Sequence, residues 1–89
     1  MTDLERVMEI FVDADISIIK EIIYLNGWCG YEDSAGYLIF KGIDDSIQWC
    51  KYASSPYKED SNHYFDPQEI TPDEALEMIT EMEKYINEN

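Results

Sequence analysis

Tyr37-Leu38-Ile39-Phe40-Lys41, then Gly42-Ile43-Asp44-Asp45-Ser46, then Ile47-Gln48-Trp49-Cys50-Lys51-Tyr52 is the stretch whose reading decides the fold. Two runs rich in β-branched and aromatic residues flank a cluster of Gly, Asp and Ser, the composition of strand, turn and strand. Upstream, Trp28-Cys29-Gly30-Tyr31 and Glu32-Asp33-Ser34-Ala35-Gly36 repeat the pattern and add a further strand and turn. A short helix over residues 47–52, capped by Asp44 or Asp45, is the rival reading, because a short apolar run has no decisive periodicity. Its strand-type composition favours the sheet.

Toward the N-terminus, Thr2 and Glu5 have the spacing of a capping box, and Leu4, Val7, Met8 and Phe11 follow at helical intervals. Ile18, Ile19, Ile22, Ile23 and Leu25 extend the apolar pattern to Asn26-Gly27, where glycine suits a helix stop. Asp13-Ala14-Asp15 either divides this stretch into two helices, with Asp15 capping the second, or lies within one.

Toward the C-terminus, Ser54 to Asp66 is polar, contains Pro56 and reads as a loop. Its Tyr57, Tyr64 and Phe65 make it unusually aromatic, and Tyr64 and Phe65 are placed to close over the sheet edge. Thr71-Pro72-Asp73-Glu74 supplies a cap, a proline at the first helical position and a carboxylate at the third. Ala75, Leu76, Ile79, Met82 and Ile86 then form an apolar stripe on a helix reaching about Asn87.

The expected class is α+β: a helical N-terminus of one or two helices, a small antiparallel meander of about three strands, and a C-terminal helix packed on the sheet. Hydrophobic residues are 45% and aromatics 13% of the chain, too many for a disordered acidic tail. Residues 1–89 therefore read as a single acidic globular domain, with Trp49 and Phe40 in its core.

Charge is the strongest functional signal. Twenty Asp and Glu face six Lys and Arg, a formal net charge of -14. A small domain needs only about 2–8 charges to stay in solution. Excess like charge works against compaction. A strongly basic partner accounts for it most simply. The sign disfavours direct nucleic-acid binding and an anionic membrane surface.

The acids fall in rows. Glu5, Glu9 and Asp13 share one arc of the first helix at 100° per residue. Asp73, Glu74, Glu77, Glu81 and Glu88 lie within about 100° on the last, with Lys84 among them and Glu83 outside. Like charges four apart cost an isolated helix about 0.2–0.5 kcal/mol per pair. Such rows rise about 6 Å per carboxylate, sparser than one phosphate per 3.4 Å along a DNA strand but similar in scale. A solvated acidic face is the plain reading. The sharper one makes Glu5, Glu9, Asp13, Asp73, Glu74, Glu77 and Glu81 partner-binding residues, with Glu59 and Asp60 joining from the aromatic loop.

Other chemistry is poorly supported. Asp13-Ala14-Asp15-Ile16-Ser17 begins like a calcium loop, but the sixth position is Ile18 and the twelfth Tyr24. Cys29, Cys50 and His63 lack the paired spacing of zinc ligands, and no motif brackets either cysteine as a nucleophile. A Cys29–Cys50 disulfide requires their strands to be neighbours. The glycines at 27, 30, 36 and 42 form no phosphate loop. Twenty acids always offer carboxylate pairs, but catalysis needs a cleft and a shifted pKa. No enzyme, metal or cofactor is expected. Met1 to Glu5 is not a secretory start, and Ile16 to Leu25 is too short and interrupted to span a bilayer. The cytoplasm is the expected compartment, that of the host cell if the gene is phage-borne.

In size and composition the chain resembles phage-encoded nucleic-acid mimics and anti-defence inhibitors, a class of unrelated folds, so the resemblance assigns no residues. It implies a small inhibitor that fills the basic groove of a nuclease, restriction or CRISPR effector, repair enzyme or nucleoid protein. The alternatives are an immunity protein or antitoxin neutralising a basic toxin, and a homodimeric accessory protein with an incidental acidic surface and a dimer face in Ile16 to Leu25.

Overall fold

A computed structural model describes residues 2–11, 13–29, 34–54 and 65–88. Helix α1 spans Asp3–Ile10, and a single 3-10 turn covers Ile16–Ile18. Strands β1 (Ile19–Cys29), β2 (Ser34–Gly42), β3 (Ile47–Ser54) and β4 (Gln68–Ile70) follow, then helix α2 (Pro72–Glu88). The strands form one antiparallel meander in the order β1-β2-β3-β4. The fold is α+β, with four strands where three were expected.

The second N-terminal helix is a strand. Asp15 does act as a cap, its carboxylate accepting from the Ser17 N–H at 3.1 Å, but it caps only the 3-10 turn. The helical spacing of the isoleucines has another origin. Pairing runs Ile19↔Gly42, Glu21↔Lys41, Ile22↔Phe40, Tyr24↔Ile39 and Leu25↔Leu38, with register shifts at Lys20 and Ile23. Each extra residue moves the inward positions by one. Ile19, Ile22 and Leu25 therefore meet the same core at intervals of three, imitating a helix on a strand. β-Branched isoleucine favours the extended state. Asn26-Gly27, read as a helix stop, lies inside β1.

The hairpin between β2 and β3 forms as its composition suggests, and residues 47–52 are strand. Asp44 accepts from the Ser46 N–H at 3.1 Å, the Gly42 N–H donates to the Ser46 carbonyl at 2.8 Å, and Asp45 takes the left-handed conformation at φ 67°. β4 had no apolar run to betray it. Its three residues pair with Ile47–Trp49, and Pro67, which has no N–H to donate, precedes them. Most of the expected Ser54 to Asp66 loop, including Tyr57, Glu59, Asp60 and Tyr64, lies outside the described residues.

The sheet has a helix on each face. Leu38, Phe40 and Cys50 project to one side and pack with Val7 and Phe11 of the α1 segment. Phe65 closes this layer, nearly parallel to Phe40 at 5.9 Å and edge-on to Phe11 at 5.8 Å. Tyr52 meets Phe11 edge-on and lies over Gly36, where an added Cβ would sit 2.3 Å from the Tyr52 ring and 2.7 Å from the Asn26 carbonyl oxygen. Side chains alternate across a strand. Ile39, between Leu38 and Phe40, is thus buried on the other face, where α2 crosses β1 and β3.

Helix ends and stripes follow the sequence with two corrections. Glu5 N–H donates to the Thr2 hydroxyl at 3.2 Å, and Glu74 N–H to the Thr71 hydroxyl at 3.1 Å, with the Glu74 carboxylate returning to the Thr71 N–H at 3.0 Å. On α1 only Val7 is buried, with Phe11 beyond its end. Leu4 and Met8 stay 38% and 47% exposed because a two-turn helix touches the sheet along a narrow line. On α2 Ala75 and Met82 are buried and Ile79 and Ile86 partly so, while Leu76 is 65% exposed. Leu76 sits about 100° around the helix from Ala75 and 120° from Met82, beyond the reach of the sheet. Trp49 is half-buried rather than core, edge-on to Tyr37 at 5.7 Å. No described helix is long and apolar enough to cross a membrane.

Candidate acidic binding surface

The outward face of α2 is built by its inward one. Ala75 and Met82 fix the rotation of the helix on the sheet. Asp73, Glu74, Glu77, Glu81 and Glu88 are then carried to the far side, and all five are exposed. From Asp73 to Glu88 the row runs about 22 Å at 1.5 Å per residue, the span of about six phosphates along one DNA strand. Lys84 interrupts it.

Among the described residues no ion pair neutralises this row. The ion pairs among the described residues are Arg6–Asp3 at 3.8 Å, Lys20–Asp45 at 2.7 Å and Lys41–Asp45 at 3.9 Å, and none involves α2. The Lys20 ammonium beside Asp45 holds that carboxyl below the usual range, and the same hydrogen bond raises Lys20. Glu74 serves both the row and the Thr71 cap. Glu83, outside the row, faces β1 and accepts from the Tyr24 hydroxyl at 2.8 Å and from Asn26 Nδ2 at 3.5 Å. Burial, then this carboxylate, pushes the Tyr24 phenol up to about 12.

The first row is shorter than expected. Glu5 and Glu9 are exposed on α1, but the helix ends at Ile10 and Asp13 lies in a turn beyond it. The Asp13 carboxylate accepts from the Phe65 N–H at 2.6 Å, so it anchors the segment that closes the core. The two helices occupy opposite faces of the sheet, and their rows do not join. Glu59 and Asp60 lie outside the described residues.

Other features narrow the chemistry. No group of three or more His, Cys, Asp or Glu among the described residues could hold a metal ion. Cys50 is buried, and burial pushes its thiol up to about 12, so it is protonated at neutral pH. Positions 29 and 50 stand two strands apart, with β2 between them. Two steps of about 4.8 Å exceed the roughly 7 Å limit between bridged Cα atoms, so the condition for a disulfide is unmet. The Ile16 to Leu25 segment, offered as a dimer face, packs much of its apolar surface against the core; Ile23, at a register shift, stays exposed. A cavity of about 220 Å³ lies just before β4, lined by Trp49, Cys50, Lys51, Asp66 and Gln68. Sequence reading missed it because β4 gave no signal. No family model matches the chain, and neither a curated protein nor a solved structure matches it.

Proposed function

We propose that this protein is a non-catalytic acidic inhibitor that docks the outer face of α2 into the cationic nucleic-acid groove of a partner protein. One observation carries the reading: five exposed carboxylates follow a single arc of a rigid helix, and no described ion pair neutralises them. Like-charge neighbours at i,i+4, such as Glu77 and Glu81, weaken the helix by about 0.2–0.5 kcal/mol each. A cationic partner reverses that cost on binding. The row has the length and sign of a short stretch of phosphate backbone, which makes competition with nucleic acid the mechanism. Complementary potentials would speed encounter and make binding sensitive to salt.

Glu77 and Glu81 are central to the contact, with Asp73 and Glu74 at its N-terminal end. Glu5 and Glu9, on the other face, contribute to the long-range field rather than to the same contact. The test is affinity capture of proteins from a bacterial lysate on the immobilised chain at low salt, followed by elution with duplex DNA. Release of a nucleic-acid-binding protein by DNA supports the reading. Captured proteins that withstand both DNA and high salt contradict it.

A further inference from the structure

We propose that the cavity just before β4 receives a guanidinium group, the head of an arginine side chain. This rests on none of the α2 carboxylates and stands apart from the function proposed above. Trp49 is among its lining residues, and an indole is the side chain that attracts cations most strongly through its π face. Asp66 supplies a carboxylate, steadied by the Gln68 side-chain amide donating to it at 3.2 Å. A carboxylate matches the planar fork of guanidinium donors, which an ammonium cannot reproduce.

Size and charge agree with this ligand. At about 220 Å³ the cavity is smaller than the roughly 300–1,000 Å³ of pockets for drug-sized molecules. It suits the end of one side chain. Lys51 also lines it, yet among the described residues no ion pair joins Lys51 to Asp66, so Lys51 does not neutralise that carboxylate. The net charge of -14 enriches cations over anions at every opening on the surface. Pro67, between Asp66 and Gln68, lacks the N–H that would carry the β3–β4 ladder further toward the cavity.

The test is a nuclear magnetic resonance titration of the full chain with N-acetyl-arginine amide, its lysine counterpart, and a five-residue peptide with one central arginine. The arginine compounds should shift the Trp49 indole N–H and the Gln68 side-chain amide saturably, at least about tenfold more tightly than the lysine compound. Tighter binding of the peptide assigns the site to an arginine within a protein. Tighter binding of the amide assigns it to a free small molecule. Asp66→Asn should weaken binding about tenfold, and Lys51→Ala should strengthen it. If Asp66→Asn does not fold, Lys51→Ala decides. Equal response to arginine and lysine, or Lys51→Ala that fails to tighten arginine binding, would overturn the assignment.

Discussion

The Tyr24 hydroxyl donates a 2.8 Å hydrogen bond to the Glu83 carboxylate, joining β1 to α2 across 59 positions of sequence. With the Asn26–Glu83 contact at 3.5 Å it ties the acidic helix to the sheet, and it supports the rotation that the burial of Ala75 and Met82 gives the carboxylate row. Tyr24→Phe should remove about 1 kcal/mol, a fall of about 4–8 °C in the melting temperature of a domain this size. Glu83→Gln, which keeps an acceptor, should cost less. Thermal melts followed by far-UV circular dichroism distinguish these outcomes. An unchanged Tyr24→Phe melt would show that the bond adds nothing to docking.

Alkaline pH should unfold the protein in a defined window. The Tyr24 phenol is raised from 10.0 to about 12 and the Cys50 thiol from 9.0 to about 12, chiefly by burial. Both groups are neutral when protonated, so the fold favours the protonated form. Their contribution is complete below the unfolded values and is lost as pH rises through the folded ones. Urea midpoints should therefore fall as pH climbs from about 9 toward 12, and Cys50→Ala should flatten part of that slope. A midpoint constant over this range contradicts the assignment.

Asp13 should behave as a structural residue rather than a binding one. Its carboxylate holds the Phe65 N–H at 2.6 Å, and Phe65 lies on Phe40 and Phe11. Asp13→Ala should cost about 1–2 kcal/mol, in the range of hydrogen bonds to charged groups at a partly solvated site. Its resonance signature should be a change in the Phe65 ring environment. Loss of partner binding without loss of stability would return Asp13 to the interface.

Gly36 is the position in β2 least able to carry a side chain. A methyl group there meets the Tyr52 ring at 2.3 Å and the Asn26 carbonyl oxygen at 2.7 Å, and the second contact is backbone. Gly36→Ala should destabilise by about 1–3 kcal/mol, the scale of overpacking. Chemical denaturation provides the measurement, and a neutral result would mean that β1 and β2 separate there at little cost.

Legibility in the sequence tracked the range of the interactions involved. The caps at Thr2 and Thr71, the 42–46 turn and the helix from Pro72 are settled within four residues of chain, and they read correctly. β1 did not, because its two register shifts gave Ile19, Ile22 and Leu25 a spacing of three that only pairing with β2 explains. β4 is three residues long and exists through its neighbour β3. The exposed carboxylates of α2 could be read from helical geometry alone. Their separation from Glu5 and Glu9 could not, since the faces that two helices occupy depend on the whole sheet. Asp13 looked like part of a helical row because the end of α1 at Ile10 has no proline or glycine to announce it.

The most direct measurement compares two charge-matched double reversals, Glu77→Lys with Glu81→Lys on α2 and Glu5→Lys with Glu9→Lys on α1. Each changes net charge by the same amount, so total charge cannot separate them. With both variants folded, competition against labelled duplex DNA for the captured partner should weaken about tenfold or more for the α2 pair, the scale of one lost charge-assisted contact. The α1 pair should change it far less. Equal losses in the two variants, or none in the α2 pair, would contradict the assignment of the contact to the outer face of α2.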